Sequence, residues 1–186
     1  MELSEIRKQI DGIDPQVRDL LLRRLACSRE VAGAKIASGD TIVYRREREK
    51  EILARLGEGL PEDTRDFVLS LFRKIMEGSR TFQYGLILEA LPDAGAFLAD
   101  IPVPEGSRAV RASFRSPEGE AGIAMTLDTM ALLGLTAESL SLAREGEKTR
   151  AELVIGGSLK DRAVKRLLFQ LAKETEDLQV TALSPE

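Results

Sequence analysis

No histidine occurs anywhere in the 186 residues, and cysteine occurs once, as Cys27. Ser-His-Asp and Cys-His nucleophile pairs need an imidazole base, so both are excluded. Zinc sites of the usual kind need histidine or clustered thiolates and are excluded too. Neither a Walker A sequence nor a GxGxxG turn is present. Any chemistry here proceeds without a histidine base, and the sequence predicts no metal and no cofactor. A lone cysteine closes no intramolecular disulfide, which fits a cytoplasmic protein; its place on a helix seam predicts a packed thiol rather than a nucleophile. The opening "MELSEIRKQI" is charged and amphipathic, without the apolar core of a signal peptide, and no stretch is long enough to span a bilayer. The net charge of −4 speaks against general nucleic-acid binding. Local basic clusters, Arg23-Arg24 with Arg29 and Arg45-Arg46 with Arg48, leave room for an anionic small molecule.

What is present divides into two patterns. Apolar residues recur at steps of three and four through Leu3, Ile6, Ile10, Ile13, Val17 and Leu20, and again through Cys27, Val31 and Ala34. This predicts one helix over 3–38, closed by Ser38-Gly39-Asp40, with a seam suited to bundle or coiled-coil packing. A second helix is predicted over 46–56, broken by "GEGLPED", and a third over 63–91 with Val68, Phe72, Ile75, Phe82, Leu86 and Ala90 as its stripe. Residues 92–107 hold three prolines and read as a linker. Beyond them "AVRASF" alternates as a half-buried strand does, a helix ends at Leu133-Gly134, "ESLSLARE" and "TRAELVIG" flank a turn at Gly146-Glu147, Val164, Leu167, Leu168 and Leu171 make a helical face, and "LQVTAL" is a last strand. The order βαββαβ is that of the ferredoxin-like plait. The predicted organisation is an all-α three-helix domain over 1–91, the linker 92–107, and a small α+β domain over 108–186.

Polar groups fall where the helices should pack. Arg24 interrupts the apolar seam of the first helix. A single seam arginine can fix register or oligomeric state, and a buried cation needs a partner. Lys35 lies on nearly the same face, about 16 Å further along the axis. Arg48 and Glu49 open the second helix; Ser79 and Gln83 lie on or beside the stripe of the third. One arrangement accounts for all of them: a polar pocket for an anion inside a helical core. Arg7 does not fit a single chain. It is about 25 Å from Arg24 and turned by about 100°, so it reaches such a pocket only from a second, antiparallel copy.

Arg7 in "EIRKQID", Arg24 in "LLLRRLA", Lys35 in "GAKI", Arg48-Glu49 in "YRREREKEIL", and Ser79 with Gln83 in "MEGSRTFQ" together resemble the all-helical chorismate mutase family over residues 3 to about 90. The resemblance implies an intertwined homodimer in which the N-terminal arginine of one subunit completes the site of the other. It implies the rearrangement of the dianion chorismate to prephenate in aromatic amino-acid biosynthesis. Arg7, Arg24 and Arg48 would hold carboxylates, Lys35 and Gln83 would donate to the ether oxygen, Glu49 would accept from the ring hydroxyl, and Ser79 would orient a carboxylate. Where the family often has an Asp shortly before the Arg-Glu pair, this chain has Arg45, whose backbone N–H would make that contact.

The C-terminal βαββαβ plan resembles an ACT domain by strand order, not by residues. That resemblance implies an aromatic amino-acid effector, with "RSPEGEAG" as the ligand loop and Ser116, Glu118 and Gly119 as its positions. The Asp-x-Pro-Gly, "GALV" and "ESRP" patterns are absent, and an oligomerising or partner-binding domain is the alternative. For the helical domain the alternatives are an isochorismate pyruvate lyase and a non-catalytic helical dimer that regulates a pathway partner.

Overall fold

The computed structural model describes residues 2–184. Met1, Pro185 and Glu186, at the outer ends of the two expected domains, lie outside the described residues. Helix α1 (Leu3–Ser38) ends where Gly39 turns left-handed at φ 70°. The Gly39 N–H bonds the Ile36 carbonyl, and the Asp40 N–H reaches back to the Lys35 carbonyl at 2.9 Å. This left-handed cap closes the last turn and brings Asp40 back beside Lys35. Helices α2 (Arg46–Gly57) and α3 (Glu62–Ala90) follow within a residue of their expected limits.

Every residue from 2 to 23 is exposed. The seam expected to be buried lies open along this half of α1, with Leu3 and Leu20 each 60% exposed. Only the C-terminal half of α1 finds cover, against α3, where Ala32 is fully buried. Cys27, expected to be packed, is exposed on the same seam. The stripe of α3 also differs from expectation. Val68, Phe72, Ile75, Phe82 and Leu86 are half-buried and Ala90 is exposed, whereas Met76, Arg80, Thr81, Tyr84 and Ile87 are buried. The reason is the C-terminal domain, which covers that second face: Phe169 meets Tyr84 edge-on with ring centroids 5.7 Å apart.

A 3₁₀ segment (Pro92–Leu98) leads from α3 toward strand β1 (Ala109–Ser116). Then come α4 (Glu120–Leu132), β2 (Thr136–Glu145), β3 (Lys148–Gly156), α5 (Arg162–Glu174) and β4 (Glu176–Leu183). The sheet runs β2-β3-β1-β4 with every neighbour antiparallel. This is the expected ferredoxin-like plait, an α+β unit consistent with an ACT-like domain. Its core joins Val110, Phe114, Leu153, Ile155, Leu167 and Leu168. The segment read as a linker is packed: Leu98 is buried in this core, and Ile101 and Val103 lie against it. Helices α3 and α5 approach closely at Gly85, where a Cβ would stand 2.5 Å from the Arg166 guanidinium carbon. The missing side chain lets Arg166 donate from Nε to the Thr81 carbonyl at 2.8 Å.

Candidate active site

A cavity of about 500 Å³ opens between the three helices. The second half of α1 contributes Arg24 and Lys35, the connection before α2 contributes Arg45, the first turn of α2 contributes Arg48 and Glu49, and α3 contributes Ser79, Arg80 and Gln83. All seven same-chain positions singled out from the sequence for the helical domain therefore line one space. Among its lining residues five cations face the single carboxylate of Glu49. Such a wall favours a small, multiply charged anion, and its volume lies in the range of small-molecule sites.

Each group is held by its neighbours. Arg24 donates from Nη1 to Ser79 Oγ, and Ser79 Oγ in turn donates to the Ile75 carbonyl at 2.9 Å. The Lys35 ammonium donates to Asp40 Oδ2 and to the Ile42 carbonyl, each at 2.7 Å. An ammonium has three N–H groups, so one remains for a ligand. Lys35, followed by the Ile42 N–H, holds the Asp40 carboxyl well below its usual range, at about 2. Asp40 also takes Arg45 Nη2 at 3.2 Å, so one carboxylate anchors two of the lining cations. Gln83 is buried; its Nε2 makes a long 3.3 Å bond to the Ser79 carbonyl, and its Oε1 is buried without a partner among the described residues. An orphaned buried acceptor costs about 1–3 kcal/mol. A ligand hydroxyl donating to Oε1 would relieve this carboxamide, and the second Nε2–H is not used by the Ser79 carbonyl.

Arg7 is not part of this space. It lies on the exposed half of α1, and no described element of its own chain brings it to the cavity. Ser116 and Glu118 lie elsewhere, around a cavity of about 20 Å³ under α4 and α5. That volume holds about one water and no amino acid. Glu118 is engaged by the helical domain: it accepts from Tyr44 Oη at 3.1 Å and pairs with Arg46 Nε at 2.6 Å. Gly119, at φ 59°, caps α4. Two groups escaped the sequence reading: Arg80, which lines the cavity, and Asp40, which holds two of its lining cations. The left-handed cap at Gly39 was the available sign for Asp40. Nothing local marked Arg80, whose partners lie 31 and 94 residues away.

Comparison with known proteins agrees with this geometry. A family model described as chorismate mutase type II matches residues 6–84. The bifunctional chorismate mutase/prephenate dehydratase of Stutzerimonas stutzeri is 33% identical over 103 residues, which cover 52% of this chain. The match spans only 28% of that relative's length. The matched span, 6–84, begins near the start of α1, includes α2 and ends one residue after Gln83, so over its helical half this chain is similar to the type II chorismate mutases.

Proposed function

We propose that the chain converts chorismate to prephenate as a homodimer, each cavity being completed by Arg7 from the second copy. The observation that carries this reading is the convergence of Arg24, Lys35, Arg48, Glu49, Ser79 and Gln83 on one cationic cavity. The reaction is a concerted rearrangement in which a C–O bond breaks as a C–C bond forms. It needs neither a nucleophile nor a proton transfer, which suits a chain without histidine. The protein's work is to hold the dianion folded, with the reacting carbons close, and to stabilise charge that grows on the ether oxygen.

Arg24, Arg48 and Arg7 of the second copy bind the two carboxylates, a task that suits the planar fork of guanidinium. The Arg45 backbone N–H and Ser79 assist. The free N–H of Lys35 and the second Nε2–H of Gln83 donate to the ether oxygen; Glu49 accepts from the ring hydroxyl. The bare seam of residues 3–20 supports the dimer. Such a row of apolar side chains on a long helix is what an antiparallel copy would bury, and that copy would carry Arg7 toward the cavity. The test is turnover by the full chain. Prephenate from chorismate supports the reading. Salicylate from isochorismate would move it to the lyase, and inactivity on both would leave a helical interaction domain.

A further inference from the structure

Arg80 stands in the wall between the cavity and the C-terminal domain and is 3% exposed. Its Nη1 reaches both oxygens of Glu49 at 2.6 Å. Its Nε donates to Glu174 Oε1 at 3.0 Å, at the C-terminal end of α5. Its Nη2 lies 3.5 Å from the Met125 sulfur on α4, and its Cζ lies 4.6 Å from the ring centroid of Tyr44. Gln170 extends the chain of contacts: it donates to Glu174 at 3.3 Å and accepts from Thr81 Oγ1 at 3.0 Å, back on α3. All three nitrogens of the guanidinium are engaged, so it is not poised to grip a carboxylate of the substrate. Its geometry fixes another group instead.

We propose that Arg80 is a positioning residue for Glu49, and that Glu174 of the C-terminal domain fixes Arg80, so that the active site depends on α5 for the placement of its one carboxylate. A single guanidinium nitrogen bridging both Glu49 oxygens sets the plane of that carboxylate. Each oxygen keeps a lone pair for a ring hydroxyl. Without Glu174 the guanidinium would be free to swing with Glu49 into the cavity and carry its one carboxylate out of place. Burial pushes the Glu174 carboxyl up, and Arg80 beside it pulls in the opposite direction. The group is thus kept in a dry place where a charge is tolerated only against a fixed cation. On this view the C-terminal domain is a structural wall of the catalytic site, whatever else it binds.

The proposal rests on the chorismate mutase reading, and the test separates the two. Wild-type turnover of chorismate by the full chain is the reference; its absence overturns both. Given turnover, Arg80→Met should lower kcat by about a hundredfold, and Glu174→Gln by about tenfold, with KM changed by less than about threefold, as expected for a group misplaced near the reacting centre. The decisive measurement is a double-mutant cycle on kcat. In a Glu49→Gln background, Arg80→Met should cost less than about threefold more, because its effect acts through Glu49. Losses that multiply fully would overturn the proposal while leaving the function reading intact, and so would near-normal kcat in Arg80→Met. Removing Arg80 leaves two half-buried carboxylates without this cation, so Arg80→Met could fail to fold. In that event the cycle runs with Glu174→Gln and Glu49→Gln, and Arg80→Lys must fall short of wild type, since an ammonium lacks the rigid planar fork that fixes both carboxylates. Full activity in Arg80→Lys would overturn the bridge.

Discussion

Lys35 and Asp40 form a 2.7 Å ion pair across the end of α1, and the left-handed turn at Gly39 is what brings them together. The pair aims the ammonium. Two of its N–H groups are fixed on Asp40 and the Ile42 carbonyl, and the third is the one that the proposed mechanism assigns to a substrate oxygen. Asp40→Asn keeps the shape and removes the charge, so Lys35 should be held more loosely. We expect kcat to fall by about tenfold or more, the scale of a small misplacement near the reacting atoms, with a smaller change in KM.

The same residue predicts a pH signature. The folded Asp40 carboxyl sits at about 2 against an ordinary 3.8. Its folded value is the lower one, so its stabilisation is present above about pH 4 and is lost as pH falls toward 2. Acid unfolding followed by circular dichroism should therefore show a shallower loss of stability between pH 4 and 2 in Asp40→Asn than in wild type. Parallel curves would show that the Lys35–Asp40 pair contributes nothing to the fold.

Lys35 itself bears on the ether oxygen in the proposed mechanism. Lys35→Ala should cost about 3–4 kcal/mol of barrier, the range for losing one donor to a developing negative charge, while melting temperature changes little by comparison. Turnover near wild type would remove Lys35 from that role.

Arg24 and Lys35 were legible in the sequence because helical periodicity turns a polar residue on an apolar seam into a visible exception. The plait was legible because alternation and turn residues mark strands independently of their partners. What was not legible came from contacts across the chain. The face of α3 that is most buried carries Arg80, Thr81 and Gln83 beside Tyr84, and periodicity does not select such a mixed face until α5 is placed on it. The proline-bearing stretch 92–107 reads as a linker by composition, yet Leu98 is buried because the C-terminal core extends to meet it. Glu174 looks like an ordinary helix-terminal acid until Arg80 is found beside it.

The Gly85–Arg166 contact gives a test of how the two domains are locked. Gly85→Ala places a methyl 2.5 Å from the Arg166 guanidinium carbon. The side chain must leave, and its bonds to the Thr81 carbonyl go with it. Loss of such hydrogen bonds predicts about 1–3 kcal/mol of destabilisation, read by denaturant unfolding. In an Arg166→Met background the same substitution should cost less, because the bonds are already gone. Equal costs in both backgrounds would show that Arg166 is not what requires a glycine here.

Arg24→Leu would complete the apolar seam. Replacing a half-buried cation by a packed apolar group is often neutral or stabilising, so melting temperature should hold or rise while turnover of chorismate disappears. A large fall in melting temperature at unchanged oligomeric state would instead mark Arg24 as a structural residue that fixes register.

The composite site can be tested by complementation. Arg7→Ala should be inactive as a homodimer, because both cavities lose an arginine, and Lys35→Ala should be inactive for its own reason. The two chains are then co-expressed with different tags, and the heterodimer is isolated. If Arg7 acts across the twofold, one cavity combines Lys35 from the Arg7→Ala chain with Arg7 from the Lys35→Ala chain and is wild type. The other cavity carries both lesions. The heterodimer should therefore recover about half the wild-type activity per dimer, for independent sites related by a twofold. If Arg7 acted within its own chain, each cavity would hold one lesion and the heterodimer would stay silent. Co-expression matters because intertwined chains exchange slowly once folded. The exposure of every residue from 2 to 23 in the single chain favours the first outcome, since an arginine on an uncovered helix half has no route to its own cavity. A correctly assembled heterodimer without activity would remove Arg7 from the neighbouring site and with it the reason for placing an antiparallel copy on that seam.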